Sequence, residues 1–316
     1  MLNNEILVSL SEKWYKHGAK VQFVQESESY VYKLVSGSAE SYLRITSDVH
    51  RPEDQIIAEL DFVLYLYENG LLVSIPVKNV YGKYIEIVKV SGKTFYAVMF
   101  VPAPGEQVIY RSDQWIEPTF NKWGAYLGNL HSLCENYTVP SIYKRIDWKD
   151  DLIISQAKEI LAQNNETDAL NEFTYLMDEI VKYEKSKEVY GLIHGDLGLA
   201  NFRLFNGNIT SFDFDDSIYH WFMYDIAVAL WPTRFLPDEE RNNYLKWFIT
   251  GYVKHRNVDS LWLDRIPFFI RLRNIYMFIY RLKNINKFNI NDKESWFRNM
   301  RKSFVKPVKW DLNRFV

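Results

Sequence analysis

Apolar and polar positions alternate with a period near two through much of the first hundred residues. VQFVQ, YVYKLVSG and SYLRITS are rich in β-branched and aromatic residues, and short polar turns or the Gly37 connection separate them. They read as strands of a small antiparallel meander. The period then lengthens: PEDQIIAELDFVLYLYENG has Pro52 at an early position, acids in its first turn and Gly70 as a stop, which predicts a helix. Alternation returns in KYIEIVKV and TFYAVMFV, with Ser91 and Gly92 between them as a hairpin turn. The helix is therefore an insertion within a sheet.

Pro102, Pro104 and Gly105 in VPAPGEQ punctuate the chain rather than propagate an element. Beyond them helical periodicity dominates, in a stretch ending near Tyr137, in DLIISQAKEILAQ, in NEFTYLMDEIVKYEKS and in most of the last part of the chain. One stretch departs from it. GLIHGDLGLANFRLFNGNITSFDFDD reads as loop, short strand, Asn206-Gly207 turn and second short strand. The expected organisation is a sheet-rich region over 1–101, a hinge over 102–105 and a larger, mainly helical region over 106–316, an α+β class.

Composition adds little to this pattern and excludes several functions. A net charge of -2 over 316 residues supplies no global field for nucleic acid or an anionic membrane. The single cysteine, Cys134, excludes an intramolecular disulfide and a cysteine-rich metal site. The late apolar segment WLDRIPFFIRLRNIYMFIYRL is interrupted by Asp264, Arg265, Arg271, Arg273 and Arg281, so it reads as a buried helix rather than a membrane span. The opening MLNNEILVSLSEKWYKHG lacks the charged, apolar and small-residue succession of a signal peptide, and a cytoplasmic protein is expected. Oligomeric state is left open.

The chemistry concentrates in the exceptional stretch. Asp196 is followed five positions later by Asn201, and the short hairpin after it leads to Asp213. A two-stranded turn brings its ends together, so three side chains with oxygen donors converge. Phosphoryl transfer needs such a set: a carboxylate to orient the acceptor hydroxyl, and Asn and Asp oxygens to hold Mg²⁺ against a triphosphate.

HGDLGLAN has the Asp-to-Asn spacing of the protein-kinase catalytic loop, and Asp213 stands where the metal-binding acid of that fold follows. With Gly195 in place of Arg, the motif resembles the aminoglycoside phosphotransferase and choline kinase superfamily; AYLGNLHSL, YDIA at Tyr224–Ala227 and FITGYV are similar to further stretches of that family. The resemblance implies a bilobal protein-kinase-like fold, ATP and Mg²⁺. It makes Asp196 the catalytic carboxylate, Asn201 and Asp213 the metal ligands, and His194 and Asp225 structural supports of the loop. Arg44 falls where the family has a phosphate-contacting Lys, with Glu59 as its ion-pair partner, and adenine is expected against Phe100 and Val101.

Two departures stand out. The phosphate-covering turn QESESY has no glycine, which leaves Ser27 and Ser29 as the expected phosphate contacts, and the metal motif is DFDD. Asp215 and Asp216 beside the site are candidates for a second metal or a cationic substrate, and Tyr219 and Trp221 for stacking on it. The expected reaction moves the γ-phosphoryl group of ATP to a hydroxyl of a small molecule: an aminoglycoside, amino alcohol, homoserine or sugar-like metabolite. A catalytically silent nucleotide-binding regulator of the same fold and a protein Ser/Thr kinase are the alternatives.

Overall fold

The computed structural model describes residues 4–139, 143–285, 293–305 and 310. The chain begins α1 (Asn4–Glu12), β1 (Lys20–Glu26), β2 (Ser29–Ser36), β3 (Ala39–Ser47), α2 (Glu53–Glu68), β4 (Pro76–Val77), β5 (Ile85–Val90) and β6 (Lys93–Phe100). It continues α3 (Glu117–Cys134), α4 (Leu152–Gln163), α5 (Thr167–Ile180), β7 (Tyr190–Ile193), β8 (Phe202–Phe205), β9 (Asn208–Ser211), β10 (Ile218–Trp221) and α6 (Phe222–Leu230). The last elements are α7 (Asp238–Tyr252), α8 (Ser260–Leu263), α9 (Ile266–Lys283) and α10 (Lys293–Val305).

Two compact units emerge. One comprises Met1–Glu106, Tyr137–Arg145 and Phe202–Asp215, the other Gln107–Asn136, Ile146–Asn201 and Asp216–Val316. The sheet-rich unit thus takes in two stretches that chain order alone would assign elsewhere.

In the sheet-rich unit the strands run β1-β2-β3-β6-β4, with β5 also on β6, and all pairings are antiparallel. Leu43, Ile45, Ala97 and Met99 pack with Leu7, Leu10 and Trp14 in one core; Val98 and Tyr96 pack with Ile56 and Leu60 of α2 in another. Because a strand presents successive residues to opposite faces, Arg44, between Leu43 and Ile45 and paired with Val98, belongs to the α2 face. Each such Leu or Ile contributes about 1.5–3 kcal/mol on burial. The β5–β6 and β8–β9 hairpins turn through Ser91 (φ 50) with Gly92 (φ 78) and Asn206 (φ 48) with Gly207 (φ 74). Paired positive φ values are those of the tight turn whose twist matches its strands.

The β8–β9 hairpin is fastened to the same unit by backbone. The Leu204 N–H donates to the Glu106 carbonyl at 2.9 Å, and the Ser74 N–H donates to Ser211 at 2.8 Å. Beyond the hairpin, Phe214 meets the ring of Phe62 on α2 edge-on at 5.8 Å.

The helical unit is organised by close helix contact. A Cβ added to Gly124 of α3 would lie 1.8 Å from the Phe248 carbonyl oxygen of α7, and one on Gly251 would lie 1.8 Å from that of Asn121. A side chain at either position would force α3 and α7 apart, as would one on Gly128, whose Cβ would lie 2.4 Å from the Tyr252 carbonyl oxygen, which gives the glycines of AYLGNLHSL and FITGYV a packing reason. Helix α6 is buried on every side and packs along α9. No helix among the described residues is long and apolar enough to cross a membrane. Three elements escape the sequence pattern: β4, and the antiparallel pair β7–β10, in which Ile218 faces Ile193.

Candidate active site

In the helical unit, β7 ends at Ile193 and the chain turns through His194, Gly195 and Asp196. Gly195 has φ +82, and a Cβ there would lie 2.2 Å from the Asp216 carbonyl oxygen, so the turn requires glycine on both counts. Asp225 near the start of α6 fastens it: Oδ2 accepts the His194 N–H at 3.0 Å and Oδ1 the Gly195 N–H at 2.8 Å. His131 of α3 lies between Asp225 (3.2 Å) and the Tyr252 hydroxyl of α7 (2.7 Å), joining the loop to the α3–α7 pair. Burial pushes the Asp225 pKa up, but the His131 hydrogen bond, the charges of His131 and His194 and the Gly195 N–H outweigh it and hold the carboxylate below its usual range. Burial lowers the pKa of His131 in spite of Asp225. His194 itself is buried, and its Nδ1 accepts the Asp196 N–H at 3.3 Å.

Asp196 is held at both oxygens. Asn201 Nδ2 donates to Oδ2 at 2.9 Å and to the Asp196 backbone carbonyl at 2.8 Å, while Arg273 Nη2 of α9 donates to Oδ1. The Asn201 amide nitrogen is thereby spent, which leaves its oxygen as the atom suited to a hard cation. Arg273 Nη1 also donates to the Tyr224 hydroxyl at 3.4 Å. Burial and the charge of Asp216 push the Asp196 pKa up, against the opposing pull of Arg273. The Asp196 side chain keeps 34% of its surface exposed, so this is a carboxylate with access as well as partners.

In the sheet-rich unit, alternation along β3 delivers Arg44 to Glu59 of α2. The pair is bidentate at 2.8 and 2.6 Å and both residues are buried. The same guanidinium lies 3.6 Å from Asp213 Oδ1 and over the Phe100 ring at 5.1 Å. Asp213 has φ 64 and a side chain 41% exposed. It lies two residues beyond Ser211, whose β-partner Phe202 directly follows Asn201.

Several expected contacts fall elsewhere. Ser29 is buried with its hydroxyl 2.8 Å from that of Thr46, so it is committed within the sheet; Ser27 is exposed in the turn between β1 and β2. The Val101 N–H donates to Ile75 at 3.0 Å, so it is not open to a purine, and its carbonyl already accepts the Ser74 hydroxyl. Asp215 Oδ2 lies 2.7 Å from His50 Nε2 and accepts Arg51 Nε at 3.3 Å. Burial favours its protonation, but these partners and the Arg44 charge overcome that and drive its pKa far below the carboxylate range. It is the hub of an ion-pair network that includes Glu28, 3.4 Å from His50, rather than a free acid for a cationic substrate. Asp216, in the other unit, is exposed. Trp221 has no exposed surface and its indole donates to the Glu184 carbonyl, which makes it core; Tyr219 is half-buried in β10. Arg273, His50 and Arg51 were not singled out from sequence. The signal for Arg273 was an arginine inside a helix too apolar to face water.

A model of a family described as "Phosphotransferase enzyme family" matches residues 20–258. Amicoumacin kinase of Bacillus subtilis (strain 168) is 29% identical over 301 residues, covering 92% of this chain and 88% of that protein. Among solved structures, amicoumacin kinase hAmiN in complex with AMP-PNP, Ca²⁺ and Ami superposes with a TM-score of 0.89 at 26% identity, over 100% of this chain and 98% of that one. A microcompartment-associated aminopropanol kinase superposes with a TM-score of 0.78 at 19% identity, over 98% and 100% of the two chains, a likeness of fold.

Proposed function

Because this chain belongs to the phosphotransferase enzyme family, we propose that Asp196 is the base and Arg44 the phosphate anchor of an ATP-dependent kinase acting on a small-molecule hydroxyl. The fold is the α+β, protein-kinase-like one, and the enzyme is a small-molecule phosphotransferase with an alcohol acceptor. The observation that carries the assignment of Asp196 is its hydrogen bond from Asn201, on a loop whose backbone Asp225 holds from below.

The reading supplies a role for each group. Asp196 accepts a hydrogen bond from the acceptor hydroxyl, aims its oxygen at the γ-phosphorus and takes its proton as the new bond forms. Fixing that approach and proton transfer is most of what the protein must do in phosphoryl transfer. Arg44, fixed in its rotamer by Glu59, answers the phosphate charge with a rigid fork where a lysine would offer a mobile point charge. The donor set fits a divalent cation: Asn201 and Asp213 offer only hard oxygens, with no thiol or imidazole. We assign them Mg²⁺, which when bound neutralises charge on the triphosphate. Ser27, exposed in its turn with its N–H donated to the Ser29 carbonyl at 3.2 Å, is assigned a phosphate contact through its hydroxyl. Phe100, under the Arg44 guanidinium, is assigned to the purine without help from the Val101 N–H.

The test is ATP consumption over a panel of amino alcohols, hydroxy amino acids, aminoglycosides and sugars, with Asp196→Asn as its blank. The variant is expected to lose at least ~100-fold in kcat while retaining nucleotide binding, the usual scale for a lost general base. Unchanged turnover would remove Asp196 from the mechanism.

A further inference from the structure

Helix α9 carries charge where its surroundings are apolar. Arg273 is 9% exposed, and Arg234, in the turn after α6, is 7% exposed. Arg281, two turns beyond Arg273, is half-buried. Trp231 links these elements, donating its indole N–H to Asn274 Oδ1 at 2.7 Å. The Arg234 guanidinium lies 3.5 Å from the Trp231 ring centroid, its Nη1 donates to the Trp231 carbonyl at 2.8 Å, and its Nη2 lies 3.9 Å from the Met300 sulfur. Arg281 lies over the Trp296 ring at 4.2 Å.

Among the described residues these three arginines have one carboxylate between them. Among the described residues neither Arg234 nor Arg281 has a carboxylate partner, and Arg273 shares only Asp196. The Nε atoms of all three are buried without a hydrogen-bond partner. Stacking on tryptophan offsets part of the cost of burying a guanidinium and neutralises none of its charge. The three also repel one another: burial, then Arg281 and Arg273, push the Arg234 pKa down to about 9, and Arg273 contributes to lowering that of Arg281. Elsewhere in the same unit a buried arginine is answered, as Arg256 is by Glu135. A like-charged cluster with unsatisfied donors is costly unless a ligand completes it.

We propose that Arg234, Arg273 and Arg281 form a binding site for an anionic group, a carboxylate or a phosphate, carried by the acceptor substrate. That the ligand is the phosphoryl acceptor rests on the kinase reading above; that the cluster takes an anion does not. Since Arg273 also holds Asp196, the acceptor's hydroxyl and its anionic group are separated by only a few bonds, which selects a compact hydroxy acid or alcohol phosphate. Neutralising Arg273 with that group loosens its hold on Asp196 when the acceptor arrives, so substrate binding and readiness of the base are coupled.

The test uses the full chain and matched probes: L-homoserine against 3-aminopropan-1-ol, L-threonine against 1-aminopropan-2-ol, and glycerol 3-phosphate against glycerol. Within each pair only the anionic group differs, and the third pair separates phosphate from carboxylate. Thermal shift without nucleotide reports binding, and ATP consumption reports kcat and KM. At least one anionic member is expected to raise Tm where its partner does not, and Arg234→Met or Arg281→Met to weaken that binding about tenfold or more. Without probe, both Met variants should melt at or above the wild-type temperature, because each removes one of three clustered like charges; a structural role would lower it. The proposal fails if no anionic member outdoes its partner, if the Met variants bind it as tightly as wild type, or if their KM rises for ATP alone. Failure of the kinase reading is distinct: wild type and Asp196→Asn would bind the anionic probe equally, and neither would consume ATP.

Discussion

Each unit buries an arginine against a carboxylate, and the two pairs are built to different ends. Arg44 and Glu59 are both buried and joined by two hydrogen bonds, a closed arrangement in which each charge is the other's solvent. Arg273 and Asp196 are joined at one oxygen only, the other belongs to Asn201, and the carboxylate keeps a third of its surface in contact with water. The contrast is one of solvent access: the Arg44 pair is closed to water on both sides, whereas Asp196, though held at both oxygens, keeps a face open to a further partner.

The sharpest way to break the contrast is to remove one partner from each pair. Glu59→Ala strands a buried guanidinium and is expected to cost about 3–5 kcal/mol in urea unfolding. Arg273→Met leaves a carboxylate that is partly solvated and relieves repulsion with Arg234 and Arg281, so its cost should stay within about 1 kcal/mol. Equal losses would show that the two pairs do the same work. Next in size is Asp225→Asn, which turns an acceptor of two loop N–H groups into a half-donor; the expected loss is about 1.5–3 kcal/mol, with kcat falling as the loop loosens.

Acidity separates the pairs further. Arg273 is the main influence holding the Asp196 pKa down against burial, so Arg273→Met raises that pKa. A base works only when deprotonated, and the acidic limb of kcat/KM should therefore move to higher pH in the variant; a limb that stays put or moves lower would contradict the contact. The smallest effect distinguishes the units. Burial lowers the His220 pKa from 6.5 to about 3, so its share of stability is whole above pH 6.5 and fades as pH falls toward 3. Asp215, whose pKa is also depressed, gives its share above the ordinary carboxylate value of 3.8 and loses it only below. Between pH 7 and 5 the fall in Tm should consequently be shallower for His220→Asn than for wild type.

Sequence pattern anticipated the elements whose signals are local. The alternation of β1, β2, β3, β5 and β6, the helix after Pro52 and the Ser91-Gly92 and Asn206-Gly207 turns all stand in the structure. Strand β10 did not announce itself, because IYHW has two fully buried residues in a row and its partner β7 lies far back in the chain. The site divides in the same way. Asp196 and Asn201, joined by a hydrogen bond, share one short stretch, and the Arg44–Glu59 pair followed from order along the sheet and helix. The Arg273 contact joins residues 77 positions apart, and those of His50 and Arg51 with Asp215 span 165 and 164, distances over which a single sequence has no pairing rule. Commitments made by the backbone were equally invisible: nothing in the letters around Val101 tells that Ile75 and Ser74 occupy its N–H and carbonyl.

The way the chain visits its two units bears on how it emerges from a ribosome. It passes from one to the other after Glu106, Asn136, Arg145, Asn201 and Asp215. The sheet built by the first hundred residues cannot acquire the edge contacts of Leu204 and Ser211, or the Phe214 ring against Phe62, until the nascent polypeptide is more than 215 residues long. A truncated N-terminal fragment would lack these groups, and during synthesis the early strands must wait while α3, α4, α5 and β7 are made.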